Sequence, residues 1–398
     1  MKQRNATLQY AFVHMMLWAL YGFLFSYANP YLTERLHLSD TAAGLILGIA
    51  TGMAFLLQPI LTSIVDRTKL NVRHVSIVCA LFTTVCAAAT VLPVGKHATV
   101  VLFAGACVSL QTLPSFANAL GMEGIRGGQT INFGLARGLG SVFFGIGSKL
   151  AAPLIAAFGM HAVAVSGAVC AALLAAAVAM FPRAQHIIAH NEEEKPTSAR
   201  VFFQENPKFI LLLIGVILLY IGHNALSNCM FRIAGSKLSA GASQNAITDV
   251  QGTALMIAAV VELPMMFLFT RLVKKIRCDI WLILSCAFMT LRLILTLVLP
   301  AAAGLYIAQV AQMFGYALFA VASVYYVGSV VSKRNVVKGQ TYLGSGNTLG
   351  CLGAYVMCGS LIDMVGVEKM LLVSTVLSVI GLACIVLGTE RVKTTVGA

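Results

Sequence analysis

Runs of apolar residues long enough to cross a membrane recur from one end of this 398-residue chain to the other, and no other feature restricts its fold so strongly. A span needs about 20 mostly apolar residues, at about 1.5 Å of rise each, to cover roughly 30 Å of hydrocarbon. Inside lipid every backbone N–H and C=O must find its partner within the chain, so runs of this length form α-helices. Twelve of them stand at 8–32, 42–65, 72–93, 99–120, 133–158, 162–181, 209–233, 247–269, 280–300, 302–331, 340–364 and 370–388. With 59% of the residues hydrophobic and 10% charged, little remains from which to build a soluble domain. The expected fold class is an all-α integral membrane protein with twelve transmembrane helices in two six-helix bundles.

The charges carry the topology. Basic residues fall on one side of the alternation, among them Arg67, Arg73, Arg126, Arg271, Lys333 and Arg391, while the other side holds little beyond Arg35, Lys96, Lys237 and Lys369. The positive-inside rule then places both termini in the cytoplasm of a cell whose inner membrane the chain crosses. A net charge of +13 explained by short clusters between spans argues against nucleic acid as a partner. Ten cysteines scattered singly, without metal-ligand or redox spacing, lead us to expect no metal and no cofactor. The first apolar run is too long for a signal-peptide core and reads as the first span.

The longest polar segment, 182–207 with its NEEEKPTS stretch, divides the chain near its middle. The expected organisation is an N-terminal bundle over 1–182, a cytoplasmic linker over 183–207, and a C-terminal bundle with a cytoplasmic tail over 208–398. A weak internal repeat agrees: Gln58-Pro59 and Glu262-Leu263-Pro264 each come late in the second helix of their half, and each is followed by a basic loop.

Against this background the polar residues inside spans are the candidates for function. An acidic side chain at the centre of a membrane helix costs roughly 3 kcal/mol, so Glu262, alone in an apolar run, should face a partner or a wet path. The seventh span carries Tyr220, His223, Asn224, Ser227 and Asn228 on one helical face. Shorter stripes stand at Arg137, Ser141, Phe144 and Ser148 in the fifth, at Gln309, Gln312 and Tyr316 in the tenth, and at Gln340, Asn347 and Thr348 in the eleventh. His14, Trp18, Tyr21 and Phe25 share a face of the first. A single hydroxyl in such a place is explained by interhelical hydrogen bonding, worth about 0.6 kcal/mol on average. Five polar groups on one face fit a wet cavity better. Depth counting puts Glu262 and Arg292 within reach of each other, which predicts a pair between them. Lys149, nearer its helix end, is expected to snorkel.

The motifs NPYL at 29–32, LLQP at 56–59, DRTK at 66–69, FGLARGLGS at 133–141, VELPMMF at 261–267 and FMTLR ending at Arg292 resemble the major facilitator superfamily. Within it the chain resembles the branch of lactose permease, oligosaccharide:proton symporters and phenylpropionate-type permeases, and the resemblance covers the whole length. It implies a gating or packing role for Asp66 and Arg67. It also implies sugar contact for Arg137, Phe144 and Glu262, and a part in proton coupling for Arg292. The chain departs from that pattern at Ala119, Gln312, Gly315 and Asn347, where charged or coupling groups of lactose permease would stand.

The expected function is a secondary active transporter, not an enzyme, that takes up a small polar solute with a proton by alternating access, a sugar or oligosaccharide being favoured. A uniporter, a sodium-coupled carrier, or an exporter of a nucleoside, aromatic acid or drug-like compound are the alternatives. The expected substrate contacts are Arg137, Phe144, Glu262, His223, Asn224, Asn228, Gln312, Asn347 and Trp18, and the proton-coupling pair is Glu262 with Arg292. The chain is expected to work as a monomer in the lipid bilayer.

Overall fold

The computed structural model describes residues 5–68, 70–182, 197–272 and 276–392 and, for Asp66 and 266–272, the backbone alone. Among the described residues, twelve helices are long and apolar enough to span a membrane: α1 (Thr7–Phe25), α2 (Asp40–Val65), α3 (Val72–Ala89), α4 (Lys96–Arg126), α5 (Phe133–Phe158), α6 (His161–Met180), α7 (Lys208–Asn228), α8 (Gln244–Met265), α9 (Cys278–Val298), α10 (Ala301–Val330), α11 (Lys333–Val365) and α12 (Val367–Gly388). Each expected apolar run corresponds to one of them, so the fold is all-α with twelve transmembrane helices.

Side chains close the exposed first turns of several helices. Ser39 accepts from the Ala42 amide at 3.1 Å before α2, and Asn132 accepts from Leu135 at 2.9 Å before α5. Asn71 and His74 form a reciprocal capping box before α3. Between α11 and α12 the chain turns at Gly366, whose φ of 85° suits a residue without Cβ.

Two spans are less regular than periodicity suggests. In α1 the α-helix ends at Leu20 and continues as a five-residue π-helical turn, Tyr21–Phe25, with the Ser26 amide donating to the Tyr21 carbonyl at 3.0 Å. In α10 the helix Ala301–Val310 gives way to a 3-10 turn, Ala311–Met313, and resumes at Tyr316 after Gly315, whose φ of −88° and ψ of −104° break the helical path.

The helices form two compact units. The first contains α1–α6 together with 241–260; the second contains α7, the remainder of α8, and α9–α12. In the first, Tyr27 donates to the carbonyls of Ser148 at 2.7 Å and Thr248 at 3.3 Å, and Gln251 donates to the Ser26 carbonyl at 2.7 Å. Lys149 has partners within the first unit. Its ammonium forms an ion pair with Asp249 and donates to Thr253 at 2.7 Å, because the early part of α8 brings an acid and a hydroxyl to it.

In the second unit, part of the expected linker folds. Ala199–Glu205 is a short helix capped by Ser198, and its Phe202 packs edge-on to Phe209 and Tyr342 at 5.2 and 5.1 Å. Residues 183–196 of that linker lie outside the described residues. Exposed apolar side chains such as Ile49, Val101, Phe158, Val298 and Leu387 cover the outer faces, as a hydrocarbon solvent requires.

Candidate functional site

The polar residues gather into one cluster in each unit. In the second, Glu262 sits on α8 at only 7% exposure, two residues before Pro264. Proline has no N–H to offer the carbonyl one turn earlier, so the backbone beside Glu262 retains an unfilled acceptor in the helix ladder. Gln312 donates from Nε2 to the Glu262 carboxylate at 3.0 Å, and its Oε1 accepts from Arg292 Nη1 at 2.6 Å. The pair expected between Glu262 and Arg292 is thus joined through an amide bonded to both. Arg292, 2% exposed on α9, also donates from Nε to Gln309 Oε1 at 3.1 Å and makes a second bond to it from Nη2. Gln309 and Gln312 are three apart at the irregular turn of α10, which is how one short stretch presents two amides to one guanidinium.

Arg292 Nη1 lies 3.5 Å from His223 Nδ1, an arrangement that suits a neutral ring with its proton on Nε2. That ring stacks on Tyr316 with centroids 5.1 Å apart and planes 10° from parallel. Farther along α7, Asn224 donates to Asn347 Oδ1 at 3.2 Å and Asn228 to Cys351 Sγ at 3.7 Å, tying α7 to α11. The seventh-span stripe is therefore tied to α11 at its Asn224 and Asn228 positions and joins the charged network at His223.

The first unit has a different centre. The Arg137 guanidinium lies over the Trp18 ring at 4.1 Å and donates to Ser141 Oγ at 2.9 Å. A Cβ on Gly140 would sit 2.5 Å from Trp18 Cδ1, so a side chain there is incompatible with the indole where it stands. Below this pair His14 is buried against Tyr10, ring centroids 4.7 Å apart, and neither of its ring nitrogens nor Trp18 Nε1 has a hydrogen-bond partner. Such buried polar atoms are costly, and clusters of them mark places where water or a ligand group completes the set. Phe144 is half-buried one turn beyond Gly140 on the same helix.

Gln58, by contrast, links α2 to α4: its Nε2 donates to the Gln111 backbone carbonyl at 3.2 Å and its Oε1 accepts from Ser115 at 3.4 Å, while the Gln111 side chain donates within its own helix to Cys107. Arg67 is exposed at the end of its helix, and the Asp66 side chain lies outside the described residues. Gln309, Asp249 and Tyr27 are structural partners that sequence reasoning did not place in a site. The signal for Gln309 was its stripe with Gln312; Asp249 and Tyr27 gave none. Among the described residues, no three His, Cys, Asp or Glu side chains come together as metal ligands would.

A model of a family described as "MFS_1 like family" matches residues 7–363. No curated protein matches the chain in sequence. Among solved structures, a mutant of the nucleoside transporter NupG is similar with a TM-score of 0.81 at 16% identity, covering 96% of this chain and 100% of that one. A bacterial homolog of the human lysosomal transporter Spinster, inward-facing and occupied, gives 0.68 at 13% identity, with 96% of each chain covered. A mutant of the peptide transporter POT in complex with alafosfalin gives 0.69 at 12%, covering 96% and 92%. At such identities these likenesses show a shared fold.

Proposed function

The chain belongs to the MFS_1 like family and is a membrane transporter of the major facilitator kind, and we propose that it carries a small hydroxylated solute together with a proton. The observation that carries this reading is the buried chain from Glu262 through Gln312 to Arg292 and His223. A carboxylate in an apolar span is retained at a cost, and its amide partner can bond to either protonation state. Ionised, Glu262 only accepts, and Gln312 offers it Nε2. Protonated, it gains a donor that a solute hydroxyl or a turned amide oxygen can take. Proton uptake is thereby coupled to what lies beside the carboxylate. Gln312 stands in the hydrogen-bonded path between Arg292 and the carboxylate.

The first unit has a recognition element of its own in Arg137. With one donated bond and an aromatic face beneath it, its guanidinium retains free N–H groups for solute oxygens, and Trp18 offers an apolar surface to the rim of a sugar. The sequence resemblance points to a sugar as the hydroxylated part of that solute. Alternating access in the cell's inner membrane, with both termini cytoplasmic, completes the reading, the topology resting on the placement of basic residues.

Uptake of labelled sugars and nucleosides into proteoliposomes, with and without an inside-alkaline pH gradient, tests it. Gradient-driven accumulation should be abolished in Glu262→Gln while solute exchange without a gradient persists. Undiminished gradient-driven accumulation in that variant overturns the coupling role, and absence of uptake or exchange of every hydroxylated solute overturns the substrate class.

A further inference from the structure

A cavity of about 180 Å³ opens inside the second unit among α7, α10 and α11, lined by Tyr220, Tyr316, Phe319, Ser323, Gln340 and Asn347 among others. Three of these are rings set nearly at right angles: Tyr220 meets Phe319 at 5.4 Å and 86°, and Tyr316 at 6.5 Å and 88°. Perpendicular rings present both faces and edges to the space between them, which suits a flat aromatic guest.

The other lining groups have hydrogen-bonding capacity that the protein does not use. Among the described residues, the Ser323 hydroxyl, the Tyr220 hydroxyl and the Gln340 amide make no hydrogen bond, and none of them is sealed from accessible space. Asn347 commits its oxygen to Asn224, and its two amide hydrogens remain. The cavity thus combines aromatic walls with donors and acceptors for the rim of a ring.

Its size and position define its part in binding. Sites that hold a whole small ligand measure about 300–1,000 Å³. A space of 180 Å³ holds one ring-sized portion. It also shares two walls with the charged network. Tyr316 turns one face to His223, which contacts Arg292, and Asn347 is bonded to the Asn224 side chain one residue from His223.

We propose that this cavity is a subsite for a planar heterocycle joined to the hydroxylated part of the solute, so that the substrate class is nucleosides rather than free sugars. The assignment rests on the transport reading above and refines it. The rings supply stacking that any flat group would satisfy; Gln340 and Asn347 supply the preference for a ring with donors and acceptors on its rim over a plain aryl group.

Binding to the purified full-length protein, followed by ligand-induced thermal shift, tests this with uridine, adenosine, nitrophenyl galactoside, ribose and galactose. The nucleosides should bind at least about tenfold tighter than ribose, a difference of about 1.4 kcal/mol. Gln340→Leu should remove most of that advantage and leave ribose binding unchanged. Ser323→Leu, which fills the space from a half-exposed position, should weaken nucleosides and spare free sugars. Nitrophenyl galactoside binding as tightly as the nucleosides and indifferent to Gln340→Leu overturns the heterocycle assignment. Free sugars binding as well as nucleosides overturns the subsite and leaves the transport reading standing. Binding of no hydroxylated solute removes the transport reading and the subsite with it.

Discussion

Arg137 in the first unit and Arg292 in the second are the same residue type, each within an apolar span, yet their donors are used in opposite ways. Arg292 is 2% exposed and directs Nε, Nη1 and Nη2 to Gln309, Gln312 and His223. Arg137 is half-buried, donates one bond to Ser141, and rests on Trp18. A guanidinium has five N–H groups, so Arg292 is committed within the protein, whereas Arg137 keeps N–H groups that no described residue takes up. An intramembrane charge is therefore not by itself a contact for substrate; its role depends on how many of its donors the protein already occupies.

The comparison predicts opposite failures. Arg292→Met should lower unfolding stability by about 3–5 kcal/mol, since it strands Glu262 without its distant counter-charge, and the double variant with Glu262→Gln should recover part of that loss. Denaturant unfolding in detergent measures both, and a stable Arg292→Met protein would erase the distinction. Arg137→Met should leave stability nearly unchanged and weaken solute binding about 10- to 150-fold, the equivalent of a lost charged hydrogen bond at about 1.5–3 kcal/mol. If it instead unfolds as readily as the Arg292 variant, the two arginines are alike.

Gly140→Ala sharpens the contrast without touching a charge. The new methyl displaces Trp18 from under Arg137, with an expected cost of about 1–3 kcal/mol and weaker solute binding. Trp18 and Trp281 are the two tryptophans of the chain, so Trp281→Phe isolates the emission that should report the movement. The smallest effect belongs to Lys149→Met. Its pair with Asp249 has side chains 33% and 56% exposed, and about 0–1 kcal/mol is expected from double-mutant cycles on the two residues.

The twelve spans were legible because length and hydropathy are set by the thickness of a bilayer, a constraint that acts on each run separately. Glu262 and Arg292 stood out for the same local reason, and counting rise along two helices brought them to similar depth. What could not be read was Gln312 between them, since one amide reaching α8 and α9 depends on how α10 turns at Ala311–Met313. The partner of Lys149 was hidden by distance along the chain, with Asp249 lying 100 residues away. The stripe on α7 was visible as a stripe, but periodicity cannot separate Asn224, tied to Asn347, from His223, drawn into the charged network.

The π-helical turn at Tyr21–Phe25 makes α1 a span with one residue to spare. Removing a single residue there would let the helix close as a regular α-helix of unaltered hydrogen bonding, so the deletion should be tolerated by the helix itself. Because the wide turn absorbs the extra residue, the segments on either side should keep their relative orientation when it is removed. Tyr27, whose hydroxyl reaches the Ser148 carbonyl at 2.7 Å, should therefore keep that contact. A deletion one or two turns earlier, in the regular Thr7–Leu20 helix, has no such slack and would turn the residues before it by about 100° relative to those after, the angle of one residue at 3.6 per turn.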